Sequence, residues 1–196
     1  YNLEVEKMKS KLKQNLLLSF NSQATANIAD LTIITYSQTA GATIRFNSTL
    51  TFETQARYYG PDNEQLGYGP YPPQAGEITA LRVFWNLKDF TNDLNNVTIT
   101  ATLPSQVEWT GLTSVSQGAN IVYDAASRKV IWHTSFIPAF AGPQGASFEV
   151  RVSPNWQQVG LPINITNETY FSARDSFTQT IITRTLGAAR TPAIIQ

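Results

Sequence analysis

The stretch from Ile78 to Leu103, ITALRVFWNLK (78–88), DFTNDLNN (89–96) and VTITATL (97–103), decides the fold. In its first third Leu81, Val83, Trp85 and Leu87 alternate with Arg82, Phe84, Asn86 and Lys88. In its last third Val97, Ile99, Ala101 and Leu103 alternate with Thr98, Thr100 and Thr102. Successive side chains of an extended strand point to opposite faces, so a strict period of two predicts two strands, each with one buried and one wet face. The run FTNDLNN (90–96) between them is turn chemistry, rich in the Asn and Asp that hydrogen-bond their own backbone.

Downstream the same signal repeats. Candidate strands run over Val107–Thr110, Ala119–Tyr123, Arg128–Thr134 with Val130 and Trp132 inward, Ser147–Ser153 with Phe148, Val150 and Val152 inward, Ile163–Ala173 and Phe177–Leu186. Asp124–Lys129 (DAASRK) closes a hairpin. Many short alternating strands separated by turn signals predict an all-β chain with an immunoglobulin-like antiparallel β-sandwich over 78–187, followed by a C-terminal tail at 188–196.

Upstream, GPDNEQLGYGPYPPQAGE (60–77) carries Pro61, Pro70, Pro72 and Pro73 with four glycines and no apolar period. It reads as a stiff joint between two units, because proline fixes its own φ and favours extended backbone. Before it, 15–59 reads as a partial or small β domain with strands at Leu16–Phe20, Asn27–Tyr36 and Thr43–Tyr59. The last is expected to turn Ile44, Phe46, Ser48, Leu50, Phe52 and Thr54 to one face. Residues 1–14, YNLEVEKMKSKLKQ, read as a short charged helix or linker, with Leu3, Met8, Leu12 and Leu16 near helical spacing. The lysines at 7, 9, 11 and 13 also suit an edge strand.

Composition narrows the function. The chain has 196 residues, 42% hydrophobic and 14% charged, with 14 basic and 14 acidic side chains, one His and no Cys. That is enough chain to bury a core without disulfide or metal staples. Zero net charge offers no electrostatic footprint for nucleic acid. Absent cysteine removes thiol catalysis and Cys-ligated metal centres. No apolar run approaches the roughly 18 residues that span a bilayer. Starting at Tyr1 without Met or signal peptide, the chain is expected to be a processed product or part of something longer.

Enzyme chemistry finds little support. His133, on the Val130/Trp132 register, is expected on the outer side of its strand, away from any nucleophile. No G-x-S-x-G elbow or phosphate-cradling glycine loop is present. Glu108, Glu149, Glu168 and Asp175 are the carboxylates a glycosidase pair would draw on, but they fall on separate strands and read as solvated or turn residues. Asp89, Asn92, Asp93 and Asn95, or Asp62, Asn63 and Glu64, are raw material for calcium without D-x-D-x-D-G spacing, and turn capping explains them equally. No cofactor is expected, calcium being the one weighed.

Binding and modification leave more room. Trp85 and Trp132 sit on core faces, where a sandwich buries its tryptophans; Trp109 and Trp156 complete the set. Tyr68 and Tyr71, in the joint, are candidate ligand aromatics or wedges that fix its angle, beside Tyr58 and Tyr59. Four N-x-[ST] sequons make Asn47, Asn96, Asn164 and Asn167 candidate glycosylation sites for an exported protein, with Asn47 expected to face outward.

From Gly67 to Leu186 the chain resembles a known family. The runs GYGPYPPQAGE, TALRVFWNLKDFTNDLNNVTITATLPSQVEWTG, IVYDAASRKVIWHTSFIPAFAG, SFEVRVSPNWQQVG and ETYFSARDSFTQTIIT are similar to the conserved repeat domain of unknown function of the "DUF-eleven" type. That domain recurs in large surface proteins of bacteria, candidate phyla above all, and of archaea. The matching positions are Trp85, Asn92–Asn96, Thr98–Leu103 with Pro104, Val107, Trp109, Gly111, Tyr123, Asp124, Val130, Trp132 and Phe148–Val152. The resemblance implies an immunoglobulin-like fold, an extracellular, cell-surface location and a stalk, adhesin, surface-layer or filament role, with no catalytic motif.

Residues and resemblance together give the expectation of a non-enzymatic structural module. Its partners would be neighbouring domains or copies of itself, joined by strand addition through Thr43–Tyr59 or Phe177–Leu186. The alternative is a carbohydrate-binding or adhesive module that uses the aromatics near the joint.

Overall fold

The computed structural model describes residues 15, 17–28 and 31–196, and of 20–42 the backbone alone. The charged segment expected at 1–14 lies outside the described residues. Thirteen strands are described, every ladder between them antiparallel. They are β1 (Leu17–Ile28), β2 (Leu31–Arg45), β3 (Thr51–Arg57), β4 (Thr79–Lys88), β5 (Leu94–Thr102), β6 (Val107–Val115) and β7 (Val122–Asp124). Then follow β8 (Lys129–Ile137), β9 (Gln144–Val152), β10 (Pro162–Asn164), β11 (Thr169–Asp175), β12 (Ile181–Leu186) and β13 (Arg190–Ala193).

A five-stranded sheet in the order β12-β11-β5-β8-β7 packs against a four-stranded sheet in the order β3-β4-β9-β6. The chain crosses repeatedly between the sheets, giving an immunoglobulin-like sandwich. Its core is the set that alternation predicts. Leu81, Val83, Trp85 and Leu87 of β4, Val97, Ile99 and Ala101 of β5, Val130 and Trp132 of β8, and Phe148 and Val150 of β9 are all buried. Trp85 meets Phe148 edge to face at 5.1 Å, a geometry that suits the ring quadrupoles. The Trp132 indole N–H is satisfied by the Gln117 carbonyl at 3.2 Å.

The expected two-unit division fails at β3. This strand is in register with β4 along its whole length, from Thr51 opposite Lys88 to Arg57 opposite Arg82. Phe52 enters the core and packs on Phe171 of the other sheet at 5.5 Å. Residues 60–77 are therefore an excursion between two paired strands rather than a joint between domains. The excursion is pinned throughout. The Ala80 N–H donates to the Tyr68 carbonyl at 2.8 Å, and Thr79 Oγ1 to the Pro70 carbonyl at 2.8 Å. Glycine is needed where it hugs β4, since a Cβ at Gly67 or Gly69 would run into the carbonyl oxygens of Ala80 and Ile78. Beyond it, Ala75 donates to Ile195 and Ile195 to Pro73, each at 3.0 Å. The expected C-terminal tail is thus part of the body as well, with β13 paired to β10.

The strand expected from Thr43 to Tyr59 is broken at residues 46–50, which are in neither β2 nor β3. The break separates two kinds of structure. On one side β3 belongs to the sandwich. On the other, β1 and β2 pair with each other in a two-stranded ribbon and, among the described residues, with no further strand.

Candidate functional site

The arm formed by β1 and β2 meets the body at one polar knot. At the break, the Ser48 N–H donates to Asp175 Oδ2 at 2.6 Å, while Ser48 Oγ accepts from the backbone N–H groups of Thr91 (2.7 Å) and Asn92 (3.1 Å). Asn92 Nδ2 donates to the same Asp175 oxygen at 2.9 Å and to the Phe46 carbonyl at 3.0 Å. Asn92 Oδ1 accepts the Asn15 N–H at 2.9 Å, so one side chain holds both ends of the arm. Asp175 Oδ1 takes the N–H groups of Phe177 and Thr178, each at 2.9 Å.

Asp175 is completely buried. Burial pushes its carboxyl upward, but the donors from Thr178, Asn92, Ser48 and Phe177 together outweigh this and hold it below its ordinary value. A carboxylate so fully engaged is an anchor, not an acid or base in waiting. Beside it the Arg45 guanidinium lies over the Phe177 ring at 5.3 Å and donates to the Phe177 carbonyl at 3.2 Å. From sequence, Asp175 stands among the candidate carboxylates and Asn92 among the candidate calcium ligands. Their meeting, 83 residues apart, has no local signal.

The remaining candidates stay apart. Glu149 is buried on β9, and Glu108 and Glu168 are exposed. His133 is exposed as expected, its Nδ1 3.2 Å from Thr98 Oγ1. Asp89 Oδ2 accepts from Thr51 Oγ1 at 3.1 Å, Asp93 Oδ1 from the Ala139 N–H at 2.7 Å, and Glu64 Oε2 from the Asp62 N–H at 3.0 Å. Among the described residues no group of three or more His, Asp or Glu side chains could hold a metal ion.

Of the aromatics near 60–77, Tyr71 joins a cluster and Tyr68 does not. Tyr71 stacks on the buried Tyr58 at 4.6 Å and meets Tyr59 edge-on at 5.9 Å and 89°. Tyr58 is held by its hydroxyl, which donates to the Gly69 carbonyl at 2.6 Å. Tyr59 and Tyr71 remain 45% and 38% exposed, forming a right-angled aromatic corner. Tyr68 is exposed outside the corner. Trp109 stacks on Tyr123, and Trp156 is exposed.

The four sequon asparagines differ in freedom. Asn47 is exposed, but its Oδ1 accepts from the hydroxyls of Thr178 (2.5 Å) and Thr180 (2.6 Å). Asn164 is half-buried and accepts from Arg190 Nε at 3.0 Å. Asn96 stands exposed at a β5 irregularity with φ of 51°. Asn167 is exposed at the turn into β11, while the Thr169 of its sequon is buried.

The fold and these features define an immunoglobulin-like sandwich that carries a long β arm. No family model matches the chain, and no curated protein matches it. Solved structures give distant likenesses. The major pilin subunit BcpA of Bacillus cereus is 14% identical over 90% of this chain and 48% of its own, with a TM-score of 0.42. The full-length major pilin SpaD of Corynebacterium diphtheriae is 9% identical over 71% of this chain and 35% of its own, at 0.42. Three N-terminal domains of the type V pili tip protein Mfa5 of Porphyromonas gingivalis are 12% identical over 51% of this chain and 22% of their own, at 0.40. The chain spans less than half the length of each. The fold assignment rests on the sheets themselves.

Proposed function

We propose that this chain is a non-enzymatic structural module of an extracellular, cell-surface protein or surface assembly, of the sort the DUF-eleven resemblance implies. The sandwich acts as a rigid body, and the arm and one open edge join it to neighbouring chains. The observation that carries this reading is the arm itself, two strands of 12 and 15 residues that pair with no strand of the sandwich. A two-stranded ribbon is marginal alone in water, so its length needs a further partner.

The edges of the body favour the same reading. Three are blunted: β7 has only three residues, β6 carries an irregularity between Trp109 and Thr113, and β3 presents Glu53 and Arg57. The fourth, β12, runs IITRTL without bulge, glycine or proline, carries one charge at Arg184, and among the described residues pairs with β11 alone. A regular edge with a single charge is the least protected of the four, and such edges are templates for strand addition. The test is light scattering of the full chain over a wide concentration range, followed by negative-stain microscopy of the same fractions. Regular oligomers or filaments support the reading, and a monomer of 21.7 kDa throughout counts against self-assembly.

One observation favours a second reading. The exposed Tyr59/Tyr71 corner is suited to stacking on a sugar ring. On a glycan array, retention lost in Tyr71→Ala but kept in Tyr68→Ala would support carbohydrate binding at the corner, and uniform silence would dismiss it.

A further inference from the structure

The outer face of the four-stranded sheet carries a groove that assembly leaves unused. Its ladders set Phe84 of β4 opposite Ser147 of β9, and Ser147 opposite Ser114 of β6. In the next outward row Asn86 stands opposite Gly145. The middle strand thus offers only Gly145 and Ser147 beside the larger Phe84 and Asn86, and the surface sinks along β9. Gly145 is fixed by the sheet itself, since a Cβ there would come 2.3 Å from the Trp85 carbonyl oxygen. The hollow measures about 280 Å³, just under the roughly 300 Å³ at which small-molecule sites begin.

One wall is built and satisfied. The Ser116 N–H donates to the Gly145 carbonyl at 2.9 Å, while Ser116 Oγ accepts the Gly145 N–H at 3.0 Å and donates to Gln144 Oε1 at 2.9 Å. Gln144 Nε2 donates in turn to the Ala141 carbonyl at 3.2 Å. The opposite wall is the half-buried Phe84, with the Arg57 guanidinium 5.6 Å over its ring. Arg57 belongs to β3, across β4 from β9, so it braces the ring from outside the groove.

Between these walls three polar side chains keep hydrogen-bonding capacity unspent. Among the described residues neither the Asn86 amide nor the Ser114 hydroxyl has a protein partner. Ser147 is buried, and its Oγ accepts from Arg82 Nε at 3.1 Å, which leaves its own proton to donate.

The lining selects the ligand class. No charged side chain lines the groove, which disfavours phosphates, carboxylates and ammonium groups, since a desolvated charge needs an opposite one. Amides and hydroxyls beside a single apolar ring match a molecule with hydroxyls at its rim and C–H groups on its face. A sugar ring has that pattern. A second groove of about 310 Å³, between Pro104 and Asn164, lacks an aromatic wall.

We infer that the groove over β9 binds a neutral pyranose unit of a glycan, with Phe84 against its C–H face and Asn86, Ser114 and Ser147 taking its hydroxyls. The site shares no residue with the Tyr59/Tyr71 corner and does not depend on self-assembly.

The test is an array of neutral hexose and N-acetylhexosamine oligosaccharides probed with the full chain, followed by calorimetry with the glycan retained most strongly. Ser114→Phe, which brings a ring into the groove from an exposed position, is expected to abolish detectable binding. Phe84→Ala and Asn86→Ala should each weaken it by about tenfold, the scale of one aromatic contact or one hydrogen bond. Thr183→Phe, which adds the same bulk at an exposed position of the other sheet, should leave it unchanged, as should Tyr71→Ala. Titrating the wild type with the same glycan should shift the amide resonances of Asn86, Ser114, Gly145 and Ser147, and shifts that miss all four would overturn the inference.

Binding that survives Ser114→Phe but is lost in Tyr71→Ala would also overturn it and move the sugar to the tyrosine corner. Silence of the whole array overturns both sugar sites and leaves the structural role standing.

Discussion

The sandwich and the arm are built from the same kind of alternating sequence, yet only one of them buries what it alternates. In the sandwich the inward positions of β4, β5, β8 and β9 are closed over by a facing sheet, and Trp85, Trp132 and Phe148 are wholly buried. Among the described residues no sheet faces the arm, and Leu17, Leu18 and Ile44 at its foot are exposed. Period-two patterning therefore specifies a strand and a face, but not what covers the face. The body obtains its cover from its own facing sheets.

Substitutions that empty the core should separate the two regions most sharply. Trp132→Ala is expected to destabilise the body by about 3–5 kcal/mol, the usual cost of truncating a buried tryptophan, measured by denaturant unfolding. The midpoint should fall with little change in slope if the fold is otherwise kept. A loss under about 1 kcal/mol would mean that the core is not packed as described.

The knot comes next, because it ties arm to body. Asp175→Asn should cost about 2–3 kcal/mol, since it replaces a buried charged acceptor serving Ser48, Asn92, Phe177 and Thr178. The pH dependence has a definite sign. Asp175 is held below its ordinary value of 3.8, so its contribution is fully present above that pH and is lost as pH falls through the lower folded value. The wild type's advantage over Asp175→Asn should thus be constant near neutrality and shrink in acid, read from unfolding midpoints at pH 7 and below pH 4. An advantage that grows in acid would reverse the assignment.

Smaller effects refine the boundary. Ser48→Ala removes the acceptor for the Thr91 and Asn92 N–H groups and should cost about 1–2 kcal/mol, leaving buried donors unpaired. Tyr71→Ala takes away the ring stacked on Tyr58, in a half-exposed corner, and should cost about 1 kcal/mol. Lys88→Ala breaks a 2.9 Å ion pair with Glu53 between two well-exposed side chains. It should change the midpoint by less than about 1 kcal/mol, as surface pairs do.

What the sequence disclosed follows the same division. Alternation at 78–103 and at 128–134 located the core residues because burial and register are local consequences of a period of two. Membership of β3 was not local. The glycines and prolines of 60–77 look like a joint from within the segment, and only the ladder to β4 and the bond from Ala80 to Tyr68 show that the segment lies along its own sheet. The break at Asn47 and Ser48 was hidden for a related reason. Ser48 continues the alternation, yet its side chain and N–H are taken by Thr91, Asn92 and Asp175, residues far away in sequence. Of the candidate site, the exposed position of Asn47 was legible. The polar knot was not, since its members read singly as turn residues.

Hydrogen exchange of the full chain, resolved along the sequence and kept dilute enough to hold it monomeric, tests the central claim most directly. Backbone protection reports local opening, which a closed core suppresses and an uncovered ribbon does not. Amides of β4, β5, β8 and β9 are expected to exchange only through global unfolding, while those of the β1 and β2 strands exchange orders of magnitude faster and slow down as the protein is concentrated. Arm amides as protected as those of β4 in the dilute monomer, with no dependence on concentration, would contradict it.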